Sequence, residues 1–251
     1  VGRARTDGGA DVVTPRRPPR RTTVAAPERL ELLQDGTPVP PVRGGRAADL
    51  DATRVRAWWL GFSEQVRHRS EELTELDRLA GDGDFGHNLR AAVRGADARL
   101  DRTRPGDVAG VFDAVTLAFL DTGGTSGPLL GMWFREFSRH GGQTLSTEGL
   151  ADAARAGLDT VQRLGGAQLG DKTMVDAMAP AADALRDAAT ASVPVVAALG
   201  AAYRAAADGA RGTEGLRARR GRASYVGDVA RGVVDPGALA IAWFFERGTV
   251  V

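Results

Sequence analysis

Three aspartates stand at i, i+5 and i+7 in the string Leu76-Asp77-Arg78-Leu79-Ala80-Gly81-Asp82-Gly83-Asp84-Phe85-Gly86-His87-Asn88. The glycines around Asp82 and Asp84 break a helix and permit positive φ, so those two residues belong to a tight connection. Asp77 belongs to the last turn of the amphipathic run before it. A loop folding back on that helix end brings three carboxylates together, and carboxylates that close repel or take up protons unless a cation lies between them. Oxygen ligands without His or Cys at matching spacing suit a hard ion, Mg²⁺ or Ca²⁺. The triplet Asp82-Gly83-Asp84 alone reads as an ordinary turn beside a helix cap; the whole string between two helices reads as metal binding. It is not an EF-hand loop, because counting from Asp82 the twelfth position, where Glu is required, is Val93.

Other glycine-rich corners precede helical runs, and free N–H groups at helix starts bind anions. Gly123-Gly124-Thr125-Ser126-Gly127-Pro128 has the form of a phosphate cradle, with exposed amides and two hydroxyls, though a flexible helix connection has the same composition. Gly165-Gly166 and Gly170-Asp171-Lys172-Thr173-Met174 open another helix; Lys-Thr here is no P-loop, since the preceding strand and glycine are missing. Gly221-Arg222-Ala223-Ser224-Tyr225-Val226-Gly227 offers Arg222 as a planar fork for phosphate, and Asp235-Pro236-Gly237 follows. An acidic cluster, phosphate-cradling helix starts and single Lys and Arg candidates form the set that phosphoryl transfer uses, where charge neutralisation and positioning do most of the catalysis.

The elements that must position these residues are helical. Val55, Trp58, Trp59, Phe62 and Val66 recur at three- and four-residue spacing after a plausible N-cap, Asp51, and Leu73, Leu76 and Leu79 carry a face into the aspartate loop. Further helices are expected over 88–100, 108–120, from Gly127-Pro128 through Phe137, from Ser146 or Thr147 through Val161, over 174–189 and 193–207, and from Asp235-Pro236 through Phe245. No convincing alternating run marks a strand. About eight helices with short connections imply an all-α bundle or barrel.

Composition narrows the function classes. The chain has 251 residues, 43% hydrophobic, with a formal net charge of +1, which argues against a general nucleic-acid field. Cysteine is absent, so a disulfide scaffold, a thiol nucleophile and a Cys-based zinc site are excluded. No apolar run is long enough to span a bilayer, and Arg20-Arg21 is not followed by an apolar signal core, so a cytoplasmic location is expected. Residues 1–50 are Pro- and Arg-rich with little to bury, and read as a disordered leader or linker ahead of one domain over 51–251. Lys172 and Asn88 are the chain's only lysine and asparagine, and both lie in the Gly/Asp-rich motifs.

Asp77-x4-Asp82-x-Asp84, Gly-Gly-Thr-Ser-Gly-Pro at 123–128, Gly-Asp-Lys-Thr-Met at 170–174, Gly-Arg-Ala-Ser-Tyr at 221–225 and Asp-Pro-Gly at 235–237, in that order, resemble the nucleotide-binding L subunit or L domain of dihydroxyacetone kinases from about residue 52 to the end. The resemblance implies an antiparallel eight-helix barrel with ADP or ATP and two Mg²⁺ ions at one end. It implies that Asp77, Asp82 and Asp84 hold the metal, and that Gly86, His87 and Asn88 lie along the nucleotide. Thr125 and Ser126 would meet the phosphates, Gly165 and Met174 would border the adenine, and Arg222, Asp235, Pro236 and Gly237 would complete the site. Asp171 and Lys172 belong to the motif without a catalytic assignment. Many relatives carry His where this chain has Phe85, a departure consistent with another small ketose, such as erythrulose. The resemblance further implies a partner K subunit that holds dihydroxyacetone through a histidine. The phosphoryl donor is then either free ATP or a phosphotransferase-system phosphocarrier that recharges bound ADP. A regulatory L-like module without turnover is the alternative, and a fatty-acid-kinase-type nucleotide domain a third reading. His68 and His140 are expected at helix surfaces, and neither nucleic acid nor membrane is expected as a partner.

Overall fold

The computed structural model describes residues 49–221, 224 and 230–251, all within a compact unit, Gly44–Val251. Residues 1–48 of the expected leader and Arg222 lie outside the described residues; Leu50, placed in that leader by the sequence, is instead buried against the helical unit. Eight α-helices follow one another: α1 Ala52–Ala80, α2 Phe85–Thr103, α3 Val108–Leu120, α4 Ser126–Gly141, α5 Thr147–Gly165, α6 Val175–Thr190, α7 Val195–Gly212 and α8 Pro236–Gly248. Among the described residues the only β-pairing is an isolated bridge between Leu50 and Leu145. None of these helices is long and apolar enough to cross a membrane.

Each helix packs on its predecessor and its successor, and α8 packs on α1, which closes the ring. The short connections from α1 to α7 force neighbours to run antiparallel, and the start of α8 lines the same cleft as the starts of α2, α4 and α6. The amino ends of α2, α4, α6 and α8 therefore share one end of the barrel with the carboxyl ends of α1, α3, α5 and α7. At the opposite end, local chemistry starts the odd helices. Asp51 accepts from Arg54 N at 2.9 Å, Asp107 from Gly110 N at 2.7 Å and Ser146 from Gly149 N at 3.1 Å, each satisfying an amide that has no partner within its helix.

The barrel interior is filled, not hollow. The spacing of Trp58, Trp59 and Phe62 along α1 turns all three inward, where they meet Phe112, Phe119, Trp133, Phe134, Phe137 and Phe244, all buried. Trp58 and Phe244 lie 4.4 Å apart between centroids, Trp133 and Phe137 4.7 Å, and Phe119 and Phe134 5.0 Å. Such pairs contribute about 0.5–1.5 kcal/mol each beyond the area they bury. Two indole N–H groups of α1 find acceptors where the helices meet: Trp58 donates to Phe244 O at 2.6 Å and Trp59 to Asp97 Oδ1 at 3.0 Å. His68 and His140 sit on helices and are exposed, as expected.

Candidate functional site

At the end shared by the even helix starts, a cleft of about 200 Å³ opens. The α1–α2 loop supplies its acidic side. Asp77 ends α1, and Asp82 and Asp84 follow across Gly83, whose φ of 81° is left-handed. Phe85 N donates to Asp77 Oδ2 at 3.0 Å, and Gly81 N donates to Asp77 O. The carboxylate of Asp77 thus holds the loop by its own amides. Burial pushes the Asp77 carboxyl above the usual carboxylate range; the N–H of Phe85 opposes this, and the charge of Asp82 adds to it.

The α3–α4 loop supplies the opposite character. Thr125 precedes α4 without a capping side-chain bond, so the first amides of α4 remain available to an anion. Gly124 takes φ 82° and sits close to Asn88: a Cβ there would stand 3.1 Å from Asn88 Nδ2. Thr125, Ser126 and Asn88 all line the cleft.

The α5–α6 loop and the start of α8 complete the wall. Gly165, Met174, Asp235, Pro236 and Gly237 line the cleft, and apolar Leu130 and Val161 line it beside them. The α5–α6 loop is shaped by its own carboxylates. Asp171 Oδ2 accepts from Gln168 N at 2.9 Å, and Asp176 accepts from Gly170 N at 2.5 Å and from Thr173 N at 2.8 Å. Asp235 caps α8 by accepting from Ala238 N at 2.7 Å. Withdrawal from water raises its carboxyl to about 7; the Ala238 N–H and the Lys172 ammonium counter this, while Asp176 and Asp77 reinforce it.

Most of the residues singled out in the sequence therefore share one cleft. Gly86 and His87 do not line it. Gly86 is buried where α2 crosses α1, and a methyl group there would overlap Ser70 O and Thr74 Oγ1. His87 is exposed, with Nδ1 3.4 Å from Thr74 Oγ1. Sequence reasoning missed Phe85, Thr122, Leu129 and Arg220 as lining residues. Arg220 pairs with Asp171, Nε to Oδ2 3.8 Å, and only its place beside Gly221 in the motif pointed to it.

The donor set tests whether a metal suits the cleft. Among the described residues no three acidic or imidazole groups converge as a ready cluster. The chemistry still fits a hard cation: three carboxylates line one cleft, and two of them, Asp77 and Asp82, are near enough to repel.

A closed ring of helices with carboxylates and an uncapped helix start on one cleft defines a class, the all-α barrels with a polar cleft at one end. Residues 79–249 match the DAK2 domain, and the chain belongs to that family. It is 33% identical over 191 residues to the PEP-dependent dihydroxyacetone kinase 1, ADP-binding subunit DhaL of Listeria innocua, covering 75% of this chain and 91% of that relative. It is 39% identical over 195 residues to the L-erythrulose 1-kinase of Mycolicibacterium smegmatis, covering 74% of this chain and 33% of that one. The structure of the dihydroxyacetone kinase from C. freundii in complex with AMP-PNP and Mg²⁺ superposes with a TM-score of 0.59 at 26% identity, over 84% of this chain and 36% of that one. The chain thus spans about a third of the length of these last two proteins.

Proposed function

We propose that residues 51–251 form the nucleotide- and Mg²⁺-binding L-type part of a kinase for dihydroxyacetone or a related small ketose such as erythrulose, with residues 1–50 as its leader or linker. The observation that carries this reading is the meeting of Asp77, Asp82 and Asp84 with the uncapped start of α4 on one cleft. ADP or ATP is the bound nucleotide. Thr125, Ser126 and the first amides of α4 receive its phosphates, and Gly165, Met174 and Pro236 border its base. Asp77, Asp82 and Asp84 hold two Mg²⁺ ions, which supply neutralisation of the phosphate charge when bound. Asn88 orients the glycine loop beside the phosphates, and Asp235 and Gly237 close the wall. Arg222 adds a cationic fork in this reading.

The acceptor ketose is held by a separate K subunit or domain, so the chain transfers a phosphoryl group only in its presence. Either free ATP or a phosphotransferase-system phosphocarrier acting on bound ADP is the donor, and the cytoplasm is the location. The names borne by the Listeria and Mycolicibacterium relatives support the kinase class and the choice of dihydroxyacetone and erythrulose as acceptors to assay.

The test is calorimetric titration with ADP in Mg²⁺, on the unaltered protein and on Asp82→Ala, after mass analysis of any nucleotide carried through purification. Binding that Asp82→Ala abolishes while helicity stays intact is the expected result; unchanged affinity in that variant would sink the metal assignment. Turnover of ketose with a K protein added separates the kinase from a regulatory module that binds nucleotide without transfer.

A further inference from the structure

Lys172 is the chain's one lysine, and at 1% exposure it is sealed from solvent. Its backbone is left-handed, φ 62°, a conformation rare for a residue with a Cβ. Although the residue lines the cleft, its ammonium donates away from the chain's other motifs: to Thr213 O at 2.6 Å and to Val233 O. Thr213 is itself a junction. Its hydroxyl donates to Ala210 O at 2.6 Å and accepts from Asp235 N at 2.8 Å. Next to Lys172, Asp171 O accepts from Arg219 N at 3.1 Å. Two adjacent residues of the α5–α6 loop therefore grip both the segment that leaves α7 and the segment that enters α8.

Those segments bring Arg220 and Gly221 on one side, and Asp235, Pro236 and Gly237 on the other, to the cleft. A Cβ on Gly237 would stand 3.3 Å from Met174 Cβ, so the α8 start and the α6 start touch beside Lys172. An ammonium is costly to bury. Burial pushes that of Lys172 below the usual lysine range, against the pull of Asp235, Glu214 and Asp176. An apolar side chain of the same length would fill the space without this cost. What it could not do is satisfy two carbonyls from segments 20 residues apart, the buried one of Thr213 and the partly buried one of Val233.

We infer that Lys172 is a positioning residue of the nucleotide cleft: without contacting the nucleotide, it ties the chain entering α8 to the α5–α6 loop, so that Asp235, Pro236 and Gly237 are in place before the ligand arrives. The inference rests on the nucleotide reading above. It adds a residue whose work is to hold the wall and not to touch the phosphates.

The absence of native cysteine makes a clean test possible. Lys172→Met and Lys172→Cys are prepared, and the Cys form is aminoethylated in denaturant to a lysine analogue with sulfur in the chain, then refolded. The unaltered protein passes through the same cycle. Far-ultraviolet circular dichroism reports the barrel, and calorimetry reports ADP affinity in Mg²⁺. The expected result is intact helicity in all forms, affinity lowered roughly tenfold or more in Lys172→Met and Lys172→Cys, and recovery on aminoethylation. Three results would overturn the inference: a folded Lys172→Met with unaltered affinity, no recovery in the aminoethylated form when the refolded control binds, or loss of helicity in both variants, which would make Lys172 a requirement of the barrel itself. Failure of the unaltered protein to bind ADP would overturn the nucleotide reading and this inference with it, and is distinguished by appearing before any substitution.

Discussion

The side chain of Asp77, in the last turn of α1, accepts the backbone N–H of Phe85, the first residue of α2, at 3.0 Å. One carboxylate therefore fastens the two helix ends that bracket Asp82 and Asp84. The same group is one of the proposed Mg²⁺ ligands, and the two roles make opposite demands. Loop amides are satisfied by an acceptor of any charge, whereas a cation requires the negative charge.

Substitution separates the roles. Asp77→Asn keeps an acceptor and removes a charge that burial and Asp82 already disfavour, so without Mg²⁺ its stability is expected to equal or exceed that of the unaltered protein. Its affinity for ADP in Mg²⁺ should fall. Asp77→Ala loses the acceptor as well and should be destabilised by about 1–3 kcal/mol. Urea unfolding with and without Mg²⁺, paired with ADP titration, checks both expectations.

Asp235 makes folding stability depend on pH with a definite sign. Its carboxyl is raised from 3.8 to about 7 in the folded protein, so the folded state holds the proton more tightly than the unfolded chain. Stability from this group is complete below about pH 4, declines as pH rises toward 7, and then levels off. The slope from one such group is at most about 1.4 kcal/mol per pH unit. Asp235→Asn retains a side chain suited to the N-cap and should flatten the decline, measured as the difference between the two proteins' unfolding free energies from pH 4 to 8.

Gly124 links the loop before α4 to Asn88. A methyl group there meets both a left-handed φ of 82° and Asn88 Nδ2 at 3.1 Å. Gly124→Ala is expected to cost about 1 kcal/mol of stability and to weaken ADP binding more than that loss alone explains, since the loop must shift away from Asn88. Thermal unfolding and calorimetry on the same sample measure the two effects.

The helices were readable because their signals are local. The inward spacing of Trp58, Trp59 and Phe62 and the Asp235-Pro236 start depend only on neighbours a turn away, and α3 occupies the expected 108–120 span. Ends were less readable: α7 runs to Gly212, past the expected Ala207, through a stretch whose ion pair between Arg211 and Asp208 lies on the exposed side. At the cleft, residue types pointed to Asp77, Asp82, Asp84, Thr125 and Ser126, because clustered carboxylates and helix-start hydroxyls carry their chemistry in their identity. Gly86 looked equally suited to a ligand. It is used for helix crossing, and nothing within the loop could tell that Ser70 and Thr74 of α1 fill the space beside it. Lys172 was unreadable for a related reason: its acceptors are carbonyls, present at every residue, and they lie 41 and 61 positions away.

The ring closure of α8 on α1 has a topological consequence. Arg54 Nη2, in the first turn of α1, donates to Val251 O at 2.9 Å, so the two ends of the helical circuit lie side by side, at the barrel end away from the cleft. The circuit has an order but no obligatory first helix. Joining Val251 to Asp51 by a short linker and reopening the chain at Gly142-Gln143, in a connection at that same remote end, gives a circular permutant in which every loop of the cleft remains uncut.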